Sequence, residues 1–386
     1  MNRVLKINQT KHSHCTLSHI VDKDVQSVLF PLNLAQQITL YPKYWIINDH
    51  IKPNSFISNI VSLIGTIIFV FIISYPVYTL LFYSNTQTLT SFTLISSHYD
   101  VVFYSLGFII NFIVSICNTK SALSLVLIFQ NVHRFLNNIN FTKAFIIWNW
   151  IILITFLFTS ISFIIFIQLG MDSPNTLIYR TAILISFDLN LFYAIRVISL
   201  LKHKLDLWNL QVYSTLDESE MHDESKKIFE GLANILRCYD VYKNCFQLYM
   251  LYYVIEIFSH ALVYIQVTIE IFSVDHFNAN PRRTIFAAFF IYVWILKDLV
   301  WQTLLTYECE KFYLAVENVK NNCSLIVNRN CSDNKRRMCK NVQRLLRASF
   351  SKISVCGLFY IDATLHVAHV TLLTNYVIVL LQFAYL

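Results

Sequence analysis

Residues 57–83 read ISNIVSLIGTIIFVFIISYPVYTLLFY, a run without one Asp, Glu, Lys, Arg or His. Wound as an α-helix at 1.5 Å per residue it is roughly 40 Å long, more than the roughly 30 Å of hydrocarbon in a bilayer. A surface helix of a soluble domain needs a polar face for water, and this run offers only scattered hydroxyls and one amide. It reads as a membrane span. Six further apolar runs of spanning length follow at 100–127, 144–170, 176–200, 246–273, 285–307 and 357–385. The run 176–200 is the most interrupted, by Asp188, Asn190 and Arg196.

Composition agrees. The chain has 386 residues, 56% hydrophobic and 14% charged, with mean hydropathy +0.51, where soluble domains carry about a quarter charged residues. The expectation is an all-α membrane protein with seven transmembrane helices. Residues 1–28 mix Lys, His, Asp and Ser, and the apolar piece at Leu29 and Phe30 stops at Pro31, so no signal peptide is read there.

Positive charge resists translocation, so Lys and Arg counts orient the spans. Segments 1–56, 128–143, 201–245 and 308–356 hold twenty-four of them, and 84–99, 171–175 and 274–284 hold two. The N-terminus is expected in the cytosol and the C-terminus outside. Cys15, Cys238, Cys309, Cys323, Cys331 and Cys339 then fall on the reducing side, where no disulfide framework is implied. The sequons at Asn8, Asn140, Asn322 and Asn330 fall there too, out of reach of glycosylation.

The domain plan is a cytosolic segment 1–56, six helices over 57–307 with a cytosolic helical extension at 201–245, a cytosolic connection 308–356, and a last helix in 357–386. The two long connections lack Pro, and Ile228, Leu232, Ile235, Leu236, Tyr239 and Tyr242 recur at helical spacing, so both read as helices continuing the spans. The acidic cluster Asp217, Glu218, Glu220, Asp223 and Glu224 reads as a solvated turn before a helix. The basic run from Lys335 to Lys352 reads as an anchor toward anionic lipid, not as a nucleic-acid site.

Polar groups inside spans usually face a cavity or a partner. The candidates are Tyr99 and Tyr104 in the second run, Asp188 and Asn190 in the fourth, Glu256, His260 and Tyr264 in the fifth, and Tyr292 and Trp294 in the sixth. Spacing of four places Glu256, His260 and Tyr264 on one helical face. Together they suit a small, partly apolar ligand, while each alone also fits a structural role: Tyr99 and Tyr264 as interfacial residues, Asp188 paired with Arg196 or with another span, and Glu256 paired with His260. The spacing Asp362, His366, His369 is ligand-compatible, but three groups on one helix do not make a metal site, and no metal or cofactor is expected. Nor is any enzymatic constellation read.

The C-terminus adds a specific pattern: Gly357-Leu358-Phe359, Asp362, then Thr374-Asn375-Tyr376, five apolar residues and Gln382-Phe383. On a helix Tyr376, Val379, Leu380 and Phe383 share a stripe with Gln382 beside it. Alone, that stripe fits either a packed face or a pore lining. The ending resembles the signature of insect gustatory receptors, in which Thr-Tyr, five hydrophobic residues and Gln-Phe close the final helix. Here Asn375 separates Thr374 from Tyr376, and Val377 stands where sugar-sensing members commonly have Glu.

The resemblance implies a ligand-gated non-selective cation channel, homotetrameric or mixed with other gustatory receptors. Last helices would line a central pore at Tyr376, Val379, Leu380, Gln382 and Phe383. It also implies a plasma-membrane location in sensory neurons and a small-molecule tastant, a bitter plant compound before a sugar. An odorant-receptor-like channel shares the inverted seven-span plan. A G-protein-coupled receptor would need the opposite orientation and an Asn-Pro-x-x-Tyr motif in a last span that here has no proline. A secondary transporter would show Gly/Pro-broken helices, against five Gly and six Pro in this chain.

Overall fold

The computed structural model of the chain describes residues 20–83, 91–171, 175–214, 222–272, 281–329 and 332–385. It opens with helix α1 (Lys23–Ile38) and a hairpin of β1 (Trp45–Ile47) and β2 (His50–Lys52). There follow α2 (Phe56–Tyr83), α3 (Ser91–Cys117), α4 (Thr119–Phe135), α5 (Ile139–Met171), α6 (Asn175–Ser214) and α7 (His222–Ile271). The chain continues with α8 (Pro281–Asn328), α9 (Asp333–Ser349), a hairpin of β3 (Ser354–Val355) and β4 (Phe359–Tyr360), and α10 (Ala363–Tyr385). Among the described residues seven helices, α2, α3, α5, α6, α7, α8 and α10, are long and apolar enough to cross a membrane. This is a helical, multi-pass membrane architecture.

Apolar periodicity explains the packing. α6 sits at the centre, against α5, α7 and α8, with 78% of its apolar window buried, whereas the windows of α5, α8 and α10 are 11% buried. The outward side chains of those three, such as Phe158, Tyr292 and Val367, are exposed, as suits helices facing lipid.

The helical continuation expected of the long connections is present. α6, α7 and α8 have 40, 50 and 48 residues, or about 60 to 75 Å of helix, so each extends well past a 30 Å hydrocarbon layer. Ile228, Leu232, Ile235, Leu236, Tyr239 and Tyr242 are all buried along the α7 extension. α9 folds back along α7 and α8 and is strongly amphipathic. It buries Met338, Cys339, Val342 and Leu346 and leaves Arg337, Lys340, Arg344 and Arg347 exposed on one stripe. Gln343 of α9 donates to Ser324 of α8 at 2.7 Å, while Tyr313 of α8 donates to the Ile361 carbonyl at 2.9 Å. The basic stripe thus lies about 15 Å or more along α8 from the start of the last span. Cys323 and Cys339 are free buried thiols in this layer; Cys15, Cys331, Asp217, Glu218 and Glu220 lie outside the described residues.

Three boundaries differ from the sequence reading. The second run, 100–127, is two helices, because the chain bends at Asn118, whose amide donates to the Cys245 carbonyl at 3.0 Å; only α3 has spanning character. The last run begins at Ala363 and not at residue 357. Cys356 and Gly357, at φ 50° and 75°, form the turn of the β3–β4 hairpin, a conformation that Gly tolerates freely. Asp362 then starts α10 by accepting the Thr364 amide at 3.1 Å. Burial raises its carboxyl, but hydrogen bonds from Thr364 and Lys352 outweigh that and hold it below the ordinary carboxylate range. Finally, residues 23–38 form a helix through Pro31. Burial of Val25, Val28, Leu29 and Leu32 against α5 and α6 outweighs the roughly 3 kcal/mol local cost of proline.

Trp208 of α6 is fully buried and donates its indole N–H to the Ile228 carbonyl of α7 at 2.7 Å. Trp208→Phe is expected to destabilise the chain by about 1–3 kcal/mol through the lost bond and volume. Thermal unfolding of the purified protein in detergent, followed by size-exclusion fluorescence, checks this; an unchanged midpoint would remove the bond from the helix-pairing account.

Candidate functional site

At the end of the bundle where α3 and α6 begin and α7 ends, four helices enclose a cavity of about 170 Å³. α3 contributes Ser96, Asp100 and Tyr104, α6 Arg180 and Leu184, α7 Tyr264, and α8 Phe290 and Trp294. Each residue reaches the cavity because helical spacing of three or four stacks it on the face turned to the centre.

Charge organises the cavity wall. Arg180 pairs with Asp100 at 2.7 Å, both side chains largely buried. Tyr264 donates to the other oxygen of Asp100 at 3.3 Å and lies 3.4 Å from the Tyr104 hydroxyl. His260 stands behind this group, 3.4 Å from Asp100 through Nε2 and 3.4 Å from the Glu256 carboxyl through Nδ1. Its ring stacks on Tyr104 at 4.7 Å and meets the edge of Tyr99 at 5.2 Å. The result is a string Arg180, Asp100, His260, Glu256 crossing three helices.

A second charged group lies deeper. Lys297 of α8 pairs with Asp188 of α6 at 2.9 Å and with its neighbour Asp298 at 3.1 Å, its ammonium 4.1 Å from the Trp294 ring centroid. Of the two partners expected for Asp188, the structure has the one on another span, Lys297, and not Arg196. The Arg196 guanidinium donates to Asn149 at 2.6 Å and lies over Phe145.

Of the residues singled out from the sequence, Tyr104, Tyr264 and Trp294 line the cavity, His260 and Glu256 back it, and Tyr99 stacks on Phe103 beside it. Two lie elsewhere. Asn190 bonds the Ser186 carbonyl at 3.1 Å and accepts from Lys43 at 3.4 Å, facing the N-terminal hairpin. Tyr292 is 66% exposed on the outer side of α8, because position 292 lies roughly 160° round the helix from Trp294. Sequence reasoning missed Asp100, Arg180 and Lys297. The available signal was their charge: an acid and a base near the start of two spans, and a lysine in a third, are each costly in hydrocarbon without a partner.

α10 packs on α7 and α8 through buried His369 and Leu373. The stripe read from the sequence divides across it. Tyr376 leans over Phe258 of α7, ring centroids 6.2 Å apart, and Leu380 is half-buried on that side. Val379 and Gln382 are exposed, and the outward face runs through Thr371, Asn375, Ile378 and Gln382. The Phe383 side chain lies outside the described residues. Asp362, His366 and His369 do not converge: Asp362 caps α10, His366 approaches Thr303 at 3.3 Å, and His369 packs on Phe258. Among the described residues no three His, Cys, Asp or Glu groups are placed to hold a metal ion.

No protein-family model matches the chain, and no curated protein matches it in sequence.

Gly107 has no room for a side chain. A Cβ there would overlap the Tyr252 hydroxyl and lie 2.8 Å from Phe187. Gly107→Val is expected to push α3 from α6 and α7 and cost about 1–3 kcal/mol, read as a lowered thermal midpoint in detergent. Lys297→Met leaves Asp188 and Asp298 without their cation and is expected to cost about 3–5 kcal/mol. Adding Asp188→Asn to it should recover part of that loss; simple additivity in the cycle would show that the two side chains do not interact.

Proposed function

We propose that this chain is a chemosensory channel of the insect gustatory receptor type: a ligand-gated, non-selective cation channel. It works as a tetramer, of itself or with related chains, in the plasma membrane of sensory neurons, N-terminus cytosolic and C-terminus outside. Its ligand is a small tastant, a bitter plant compound before a sugar. The reading draws on the C-terminal pattern from Gly357 to Phe383 and on a seven-helix chain with a lined interior cavity.

One observation carries the pore. The outward face of α10 presents the Asn375 amide, exposed and without a hydrogen-bond partner among the described residues. It lies about 18 Å along the helix from Ala363, near mid-depth of a 30 Å layer. A bare amide in hydrocarbon costs several kcal/mol. Gln382 is exposed on the same face seven residues on. Four copies of this face around an axis would put both amide rings in water, with Ile378 and Val379 between them as an apolar constriction that closes by dewetting. α7 links cavity to pore: Glu256 and His260 back the cavity, while Phe258, on the opposite side of the same turn, touches Tyr376 and His369. A ligand held by Asp100, Arg180 and Tyr264 would bias the α7 position against α10, the differential contact that gating requires.

Whole-cell recording in a heterologous cell, against plant alkaloids and sugars, tests the reading. A ligand-evoked cation current that persists with G-proteins blocked is expected, and loss of the current under that block sinks it. Tyr264→Phe should raise the half-maximal ligand concentration about fivefold or more at unchanged single-channel conductance. Asn375→Leu should change conductance or ion selectivity and leave surface expression intact. The reverse pattern would separate cavity from pore wrongly.

A further inference from the structure

A second and larger cavity, of about 390 Å³, lies beside the start of the first span, away from the charged string. Its walls are Leu40 and Pro42 after α1, Trp45 and Ile47 of the first hairpin, and Ile57 and Val61 of α2. The crevice is held open by bonds that do not involve an occupant. Asn54 and Ser115 both donate to the Pro42 carbonyl, at 2.6 and 3.0 Å. Leu40 turns with φ 65° onto Gly65, where a Cβ would lie 2.6 Å from its side chain.

The serines around it are already engaged, while Gln37 and Lys52 bring side chains without a partner among the described residues. Ser58 accepts the Trp45 indole N–H at 3.1 Å, Ser62 donates to the Leu40 carbonyl at 2.6 Å, and Ser55 accepts the Ser58 amide at 3.2 Å. The Lys52 ammonium, on the rim, has no hydrogen bond or ion pair among the described residues. Lys52 is thus the one cation among the lining residues, on the border of a mainly apolar crevice. The crevice is also continuous with a face that meets lipid, since Phe56 and Ile57 are 80% and 73% exposed at the first turn of the span. Trp45 sits at that level with its ring in the apolar wall and its N–H bonded, as interfacial tryptophans do.

We propose that this crevice is a binding site for one membrane phospholipid, with an acyl chain against Ile57 and Val61 and the phosphate on the Lys52 ammonium. The match is of position as well as chemistry. The cation stands where the span enters the bilayer, the depth at which lipid phosphates lie, and the apolar wall runs from it toward the hydrocarbon. This assignment needs only that α2 crosses a membrane, and it stands or falls apart from the channel reading.

The test uses the full chain purified in mild detergent. A photoreactive amino acid is placed at Val61, in the crevice, or at Phe71, which is exposed on the same helix away from it. After detergent washing and irradiation, a phospholipid adduct is expected at position 61 and not at 71. Native mass spectrometry should find about one retained phospholipid per chain, reduced about fivefold by Lys52→Gln and also reduced by Val61→Trp, with Phe71→Trp unchanged. Both tryptophan variants replace exposed apolar residues, and monodisperse elution confirms that each chain is folded. Equal adducts at 61 and 71, retention of a sterol or detergent in place of phospholipid, or retention insensitive to Lys52→Gln would overturn the proposal.

Discussion

A charge in hydrocarbon must meet its counter-charge, and in this chain that requirement fixes how the central helices stand against one another. Asp100 on α3 holds Arg180 on α6, and Asp188 on α6 holds Lys297 on α8. His260 on α7 is held between Asp100 and its own helix's Glu256. None of α3, α6 and α8 can slide by a turn, about 5.4 Å, without stranding an ion, and α7 would draw His260 away from Asp100. Breaking a buried pair costs about 3–5 kcal/mol, a large part of the 5–15 kcal/mol that separates most folded proteins from unfolding. Asp100 and Arg180 also line the cavity and His260 and Glu256 back it, so the polar character of the site follows from the way the bundle is keyed.

Between membrane helices apolar burial gives little drive for association, because lipid tails are as apolar as leucine. Here tyrosines supply part of the remainder. Tyr249 donates to the Phe187 carbonyl, Tyr252 to Phe103 and Tyr242 to Ala194, tying α7 to α6 and α3. Further along, Tyr239 reaches the Ser351 carbonyl and Tyr313 that of Ile361, holding the segment that leads into α10. Each phenol brings a broad apolar ring and one bond to a carbonyl, of a neighbouring helix in the first three and of the segment before α10 in the last two. Close approach at Gly107 lets Tyr252 cross to α3. These contacts are local and directional, and they add to the ion pairs that key the centre.

Much of the fold was legible because span length and hydropathy are coarse, strong signals: seven runs were read and seven helices have that character. The helical extensions were legible from the period of Ile228 to Tyr242. The missed boundaries are those where tertiary contacts overrule pattern. Asn118 bends the chain by bonding to α7, and α1 persists through Pro31 because its apolar face is covered. In the site, the spacing of Glu256, His260 and Tyr264 revealed a shared face, but their partners could not be read from it. Asp100 and Arg180 are 80 residues apart, and Asp188 and Lys297 are 109 apart. Pairing at such distance depends on which helices are neighbours, and local periodicity is silent on that. The same limit divided the α10 stripe, since only contact with Phe258 distinguishes the Tyr376 side from the Asn375 side.

The separation of Asp188 from Lys297 has a consequence for how the protein is made. Their 109 residues take about 5 to 20 s to synthesise at 5–20 residues per second. Throughout that interval α6 has left the ribosome with an aspartate whose cation is not yet translated. A lone helix carrying Asp188, Arg180 and Arg196 is a poor candidate for release into lipid. α6 is therefore expected to stay sheltered, in the insertion machinery or against α3 and α5, until α8 arrives. The centre of the finished bundle thus gains its full set of ion pairs only when the sixth of the seven long apolar helices arrives.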